Sequence, residues 1–541
     1  MRRLQVFVLT TSLLLAACCT AATATQKPSS PAPLAGQASG WRPIVIISDL
    51  HMGIGTSAGR WDNLEDFRWH NALQGFLVML GKRYGDGVDL VVAGDLFELW
   101  QHPDVNCTGC AADKNLGCSV AEVEQVVTRA LKAHAADLRL LGNFADRGTN
   151  RVFVLPGNHD AALLLDTLWE RISKETGSTS GRLYRTDNGV WASDNGFVVV
   201  EHGHQIDYSV NRFDKWPVIT GQCPSDEKVY VERPWGELFV QDLFNAKESR
   251  YRIIDNLIPE SAGADLYTRR RGLVGSSFDI ARFIAFNVNQ TSLRQKIALD
   301  VSDPNKADAW DLKKARARGY HLFADTLASD DPLRTQLLEG QDQQSLEIKK
   351  ALDHLAGNPS ELADEAVLAL CDMIKIRSQR DPNTPVQLCD KSLGISAARS
   401  ILPLSRILAR HLKTHLESHR NMRIFVYGHT HQADFDIPVK PTPTRSITVL
   451  NAGAFQRLTD RDSFMELAAK KNISPDEAFE TFTLEDDLPA CYSSVLVTYD
   501  PDGVPEPGLL IWHMTETDSM GELLGPCDPR CGARPPRCRA K

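Results

Sequence analysis

The sequence has no excess of basic residues. Lys and Arg total 60 against 69 Asp and Glu, a formal net charge of −9. Binding driven mainly by attraction to nucleic-acid phosphates shows as basic excess, so the composition argues against it. Beyond residue 17 no segment is apolar enough to span a bilayer, which takes about 20 residues. No internal repeat is visible, so a repeat array is excluded. Nor is hydrophobicity low. Hydrophobic residues make up 43% and charged residues 24% of 541, which excludes a wholly disordered or fibrous chain and leaves ample material for a core.

What is present begins with an address. Met1-Arg2-Arg3 precedes a mostly apolar run over residues 4–17. A basic start and an apolar run of this length read as a secretory signal. The run ends Leu15-Ala16-Ala17-Cys18, which resembles the lipobox of bacterial lipoproteins. That resemblance implies cleavage before Cys18, lipidation of Cys18 and a place in the bacterial cell envelope, anchored to membrane. Plain secretion, with cleavage within residues 21–25, is the alternative. Residues 18–40 are rich in Ala, Thr, Ser and Pro and read as a flexible tether.

Cysteine usage agrees with export. There are 12 cysteines, and those beyond Cys18 and Cys19 cluster locally. In an oxidising compartment they are expected to form disulfides. Cys371 with Cys389 is the local pair expected first. The spacing of Cys107 and Cys110, with Cys118 and Cys223, also admits a structural zinc site.

Short apolar runs predict buried strands at Ile44-Val45-Ile46-Ile47, Asp89-Leu90-Val91-Val92-Ala93, Val152-Phe153-Val154-Leu155 and Phe197-Val198-Val199-Val200-Glu201. Helical character covers residues 64–84. Val120, Val123, Val127 and Leu131 recur at helical spacing. Residues 208–420 lack repeated strand signals and read as mostly helical; Leu404, Ile407, Leu408 and Leu412 keep one helical face. Strands resume near residues 424, 447, 494 and 509. The order predicts a layered α/β domain, interrupted by a long helical insertion and then completed.

Each strand end delivers metal-type side chains. They are Asp49 and His51, then Gly94-Asp95, then Gly157-Asn158-His159-Asp160, then His202-Gly203-His204, and beyond the insertion Gly428-His429-Thr430-His431. In an extended segment, residues two apart point the same way, so Asp49 pairs with His51 and His429 with His431. Carboxylate, imidazole and amide donors suit borderline divalent ions such as Mn, Fe or Zn. Any one of these triplets is commonplace; their recurrence at successive strand ends is the signal.

Together these blocks resemble the calcineurin-like metallophosphoesterase family, in family order, over residues 42–207 and 422–514. The resemblance implies an α/β fold, a layered α/β/β/α metallophosphoesterase sandwich, and a centre of two divalent metal ions. Asp49, His51, Asp95 and His431 would hold one ion. Asp95, Asn158, His202 and His429 would hold the other, with Asp95 shared. His202 is favoured over His204 because the family ligand directly precedes the glycine. His159 would stabilise phosphoryl charge or protonate the leaving oxygen. Asp160 would orient His159 or a neighbouring loop, or cap the segment after it.

The implied activity is hydrolysis of a phosphodiester, pyrophosphate or phosphomonoester by metal-activated hydroxide. The block Gly94-Asp95-Leu96-Phe97-Glu98-Leu99-Trp100 resembles the UDP-2,3-diacylglucosamine pyrophosphatase branch, which implies a lipid- or nucleotide-linked phosphoester. That branch carries Asp after its His-Gly where this chain has His204, and works in the cytoplasm, so a shared substrate does not follow. Asn211, Arg212, Asp214 and Lys215 are expected near the substrate pocket; the run Arg269-Arg270-Arg271 reads first as a solvated helix face, with a phosphate contact as the alternative. The expected organisation is signal 1–17, tether 18–40, core 41–207, insertion 208–420, core 421–515 and a Cys/Pro-rich tail 516–541. Competing readings are a non-catalytic surface binding protein on the same scaffold and a cytoplasmic lipid enzyme.

Overall fold

All four side chains of strand β1 (Ile44–Ile47) are buried, because the strand is covered on both faces. Val45 and Ile47 enter one core and Ile44 and Ile46 another. The computed structural model describes residues 41–105, 107–113, 115–206, 211–258, 332–342 and 404–539, with isolated positions between. The expected signal, tether, Arg269-Arg270-Arg271 run and Cys371/Cys389 pair lie outside the described residues.

After β1 come α1 (His70–Tyr84), β2 (Asp89–Ala93), β3 (Leu116–Ser119), α2 (Val120–Ala133), α3 (Ala135–Asp146) and β4 (Arg151–Leu155). Then follow α4 (Asp166–Thr176), β5 (Leu183–Arg185), β6 (Val190–Ala192), β7 (Val198–Glu201), β8 (Thr220–Gln222) and β9 (Val229–Glu232). The later part holds α5 (Leu404–Ser418), β10 (Ile424–Tyr427), β11 (Asp434–Thr442), β12 (Arg445–Asn451), β13 (Cys491–Tyr499), β14 (Pro505–His513) and β15 (Glu522–Leu524).

A seven-stranded sheet has the order β15-β14-β13-β1-β2-β4-β5. Strands β1, β2, β4 and β5 are parallel, and β13 joins β1 antiparallel. A five-stranded sheet has the order β11-β12-β10-β7-β6, with β10 parallel to both β7 and β12. Alternation places Ile46, Val91, Val200 and Val426 between the two sheets. Val92 and Val154 instead face the helical layer, with Leu77 of α1 and Val127 of α2. On the far face Leu408 and Leu412 of α5 pack against Phe425 and Val449. The result is a layered α/β/β/α sandwich. Among the described residues, no helix is long and apolar enough to cross a membrane.

Two readings of the sequence shift. Helix α1 starts at His70, not near residue 64, because the Glu65 carboxylate accepts the N–H groups of Gly53, Gly55 and Phe67 and holds the preceding segment as a loop. Strands β8 and β9 lie inside the stretch read as helical. They form a hairpin that adds β3 to make a small third sheet. Strands this short leave little local pattern, and β9 pairs with β3 across more than a hundred residues of sequence.

The disulfides explain the hairpin's docking. Cys110 pairs with Cys223 and Cys107 with Cys118, so these cysteines are disulfides rather than zinc ligands. Cys491–Cys531 and Cys527–Cys538 tie the tail. Replacing Cys110 and Cys223 together by serine is expected to cost on the order of 2–4 kcal/mol. Limited proteolysis should then cut first between residues 219 and 232, and an unchanged digest would place the hairpin's stability elsewhere.

At the α2–α3 junction, buried His134 faces two carboxylates. Its Nδ1 lies 2.9 Å from Asp137 and its Nε2 3.3 Å from Glu65. Burial would lower its pKa, but Glu65 and Asp137 outweigh that and raise it from 6.5 to about 9. The stabilisation is therefore full below pH 6.5, fades between 6.5 and 9, and is lost above. It is on the order of 3 kcal/mol. Denaturant melts of His134→Gln should differ most from the parent near pH 6 and converge near pH 9.5. A difference that does not change with pH would refute the charge argument.

Candidate metal centre

Parallel strands β1, β2, β4, β7 and β10 all end on one side of the sandwich, where ligands of open α/β sheets bind. The loops beyond them stay in register. Asp49 N–H donates to Gly94 O (3.1 Å), His51 N–H to Asp95 O (3.0 Å) and Gly428 N–H to His202 O (2.8 Å). The bonds that join the sheets include His429 N–H to Asp49 Oδ2 (3.0 Å) and His202 Nδ1 to Ala93 O (2.9 Å).

The local backbone is unusual. Asp49, His51, Asp95, His429 and His431 all have φ between 50° and 69°, a region non-glycine residues seldom occupy. Such conformations cost on the order of 1–3 kcal/mol each and cluster where function holds them. The glycines make room: a Cβ at Gly94 would lie 2.4 Å from His202 Nδ1, and one at Gly157 2.2 Å from Asp95 Oδ1.

The donor atoms converge in two groups, Asp49 with His51 and His431, and Asp95 with His202 and His429. His51 Nε2 lies 3.2 Å from His431 Nε2 and 3.9 Å from Asp49 Oδ1, and His431 Nε2 lies 3.5 Å from that same oxygen. In the second group His202 Nε2 sits 2.9 Å from both Asp95 Oδ2 and Asn158 Oδ1. Asp95 Oδ2 is also 3.8 Å from His51 Nε2, so this carboxylate stands between the groups. All seven residues predicted as ligands are therefore brought together. His204 is not among them. It packs against Trp216 and Phe213, and among the described residues neither ring nitrogen has a hydrogen-bond partner.

Electrostatics fit cations. Burial would raise the Asp95 carboxyl, but the imidazoles of His202, His159 and His51 outweigh it and hold it far below the usual range. Asp49 is lowered in the same way, by His202, His431 and His51. His202 reaches about 9, because Asp95 and Asp49 overcome its burial. His204 falls to about 3 through burial and the neighbouring His202. Among the described residues, the buried Asp49 Oδ1 has no hydrogen-bond partner while two imidazole nitrogens face it. His202 donates Nδ1–H to a carbonyl, so its Nε2 meets two acceptor oxygens. These are the donors of a divalent metal site, and the residues fit one.

Two further residues complete the site. Among the described residues, Asp160 is hydrogen-bonded to no imidazole, and its side chain does not cap the short helix that follows it. It accepts N–H bonds from Leu96 (2.8 Å), Phe97 (3.2 Å) and Gly157 (2.6 Å), clamping the β2 and β4 loops together. Burial and the Asp95 charge raise its pKa to about 7. Glu98, whose role the sequence reading missed, joins His51 Nδ1 (2.9 Å) to His159 Nδ1 (2.5 Å). It also accepts the N–H groups of Trp100 and Gln101. His159 stacks on Trp100 with ring centroids 3.9 Å apart. Of the residues expected near the pocket, Asn211 Nδ2 lies 3.4 Å from His429 Nε2, and Arg212 and Asp214 line a cavity behind His202. Lys215 is exposed and does not line it.

Residues 42–285 match the calcineurin-like phosphoesterase family. The chain carries a calcineurin-like phosphoesterase domain. No curated protein matches the chain. The phosphoesterase family is one of metal-dependent phosphohydrolases, typically with two metals, and the enzyme class follows for this chain. His429 and His431 lie beyond the matched segment, yet their imidazoles fall beside those of His202 and His51.

Proposed function

We propose that this chain is an exported, lipid-anchored phosphoesterase with a two-metal centre, acting on a phosphodiester or pyrophosphate in preference to a monoester. The observation that carries it is the convergence of Asp49, His51, Asp95, Asn158, His202, His429 and His431 from five strand ends. Asp49, His51, Asp95 and His431 are assigned to one ion, and Asp95, Asn158, His202 and His429 to the other. Bound there, divalent ions supply an activated water and neutralise phosphoryl charge.

The chain's own groups do the rest. Glu98 fixes the His51 and His159 rings through their Nδ1 atoms, which leaves each Nε2 for the site. His159 Nε2 delivers a proton to the departing oxygen. Trp100 holds the His159 ring flat against its own face. Export is supported by the lipobox-like Leu15-Ala16-Ala17-Cys18 and by the four disulfides among the described residues, which suit an oxidising compartment. A lipid- or nucleotide-linked diphosphate is supported by the likeness of residues 94–100 to the UDP-2,3-diacylglucosamine pyrophosphatase branch.

Purified protein supplied with Mn²⁺ is expected to hydrolyse bis-p-nitrophenyl phosphate faster than p-nitrophenyl phosphate. The reverse order would overturn the diester assignment. Palmitate labelling should vanish in Cys18→Ala, and detection of the protein only in the cytoplasm would end the export reading.

A further inference from the structure

A second cluster of ligand-type side chains lies on the other side of strand β7. Glu201, the last residue of β7, is buried. His411 and His415 stand one turn apart on α5, so their side chains share a face. His411 Nε2 lies 2.5 Å from Glu201 Oε1, and His415 Nε2 lies 3.0 Å from Glu201 Oε2. The two Nε2 atoms are 3.1 Å apart. We propose that Glu201, His411 and His415 form a further metal site, holding one zinc-type divalent ion separate from the two-metal centre.

Three features argue for an ion rather than a hydrogen-bonded trio. Two ring N–H groups aimed at one carboxylate bring their hydrogens close together across 3.1 Å. One cation among the three atoms removes both protons and that conflict. The chemistry is that of a two-histidine, one-carboxylate zinc site, with the histidines at helical i, i+4 spacing. Ligands of a tetrahedral zinc stand roughly 3.3 Å apart, given bonds of about 2.0–2.1 Å. The imidazole pair already meets that spacing within a few tenths of an ångström; the Glu201–His411 pair must open further.

The site is also reachable. Glu201, His411 and His415 line a cavity of about 220 Å³. The histidine side chains are 13% and 12% exposed, so a water can complete the coordination. His204, whose ring nitrogens have no hydrogen-bond partner among the described residues, borders the same cavity. The ion would join α5, at the end of the long insertion, to the strand that delivers His202. Its role is thus to anchor the returning chain beside the two-metal centre.

The test is a difference in metal count. The full protein and the variant His411→Gln/His415→Gln are saturated with Zn²⁺, freed of excess metal and analysed by mass spectrometry of the elements. The variant should carry one ion fewer per chain. Because only the difference is read, the result does not depend on how fully the other centre loads. Glu201→Gln keeps the side-chain shape and a hydrogen-bond acceptor, and should lose the same ion even if the double variant fails to fold. Co²⁺ loading should give a tetrahedral absorption band that Glu201→Gln reduces. Equal metal counts and equal Co²⁺ spectra in the parent and Glu201→Gln would reduce the cluster to a hydrogen-bonded anchor and overturn the proposal.

Discussion

Asp95→Ala is expected to abolish phosphoester hydrolysis, by on the order of a thousandfold or more, and to lower bound metal at the same time. Asp95 Oδ2 is placed between the two ligand groups, 2.9 Å from His202 Nε2 and 3.8 Å from His51 Nε2. Its Oδ1 accepts the His159 N–H at 2.9 Å, so the loop carrying Asn158 and His159 loses its hold as well. The backbone at Asp95 has φ of 50°, which alanine tolerates poorly. Asp95→Asn is the better probe, since asparagine accepts that conformation and keeps the shape while removing the charge. Turnover of bis-p-nitrophenyl phosphate and metal content are measured on both. If Asp95→Asn keeps more than about a tenth of the parent turnover, the carboxylate is not a shared ligand.

Much of this site was legible in the sequence because its parts are local. A buried strand is a short apolar run, and its end is marked by glycine and a polar residue; Ala93-Gly94-Asp95 and Tyr427-Gly428-His429 both read that way. The order of the blocks then supplied the rest. What stayed hidden depends on contacts across long stretches of chain. Glu98 looks like one residue of a motif until His51 and His159 are seen on the same oxygen. Glu201 looks like the polar end of a strand until α5, two hundred residues later, lays His411 and His415 against it. The i, i+4 spacing of those histidines was the one available signal, and it was masked by the leucine pattern of the same helix. Cys110 and Cys223 carry no mark of their pairing, since the hairpin around Cys223 meets the Cys110 loop only through the nonlocal pairing of β9 with β3.

His159→Ala and Glu98→Gln form a pair whose contrast tests how the site divides its labour. His159 lies beside the ligand groups, its ring held by Glu98 and stacked on Trp100. A proton donor to the leaving oxygen contributes about 10²–10⁴ in rate. His159→Ala should therefore lose turnover by that factor while metal content stays at the parent level. Glu98→Gln should lose both. Burial would raise the Glu98 carboxyl, but His159 and His51 bring it down to about 2, so it is an anion at neutral pH. Its oxygens accept from His51, His159 and the N–H groups of Trp100 and Gln101. A glutamine has a single acceptor oxygen and presents an NH₂ group to the remaining donors. Either the two imidazoles or the two backbone groups then lose their acceptor. Since His51 is an assigned ligand, metal retention under a chelator should fall together with turnover. Equal loss of metal and turnover in His159→Ala would instead move His159 into the ligand set. Unchanged metal retention in Glu98→Gln would mean that the His51 ring is positioned by the backbone alone.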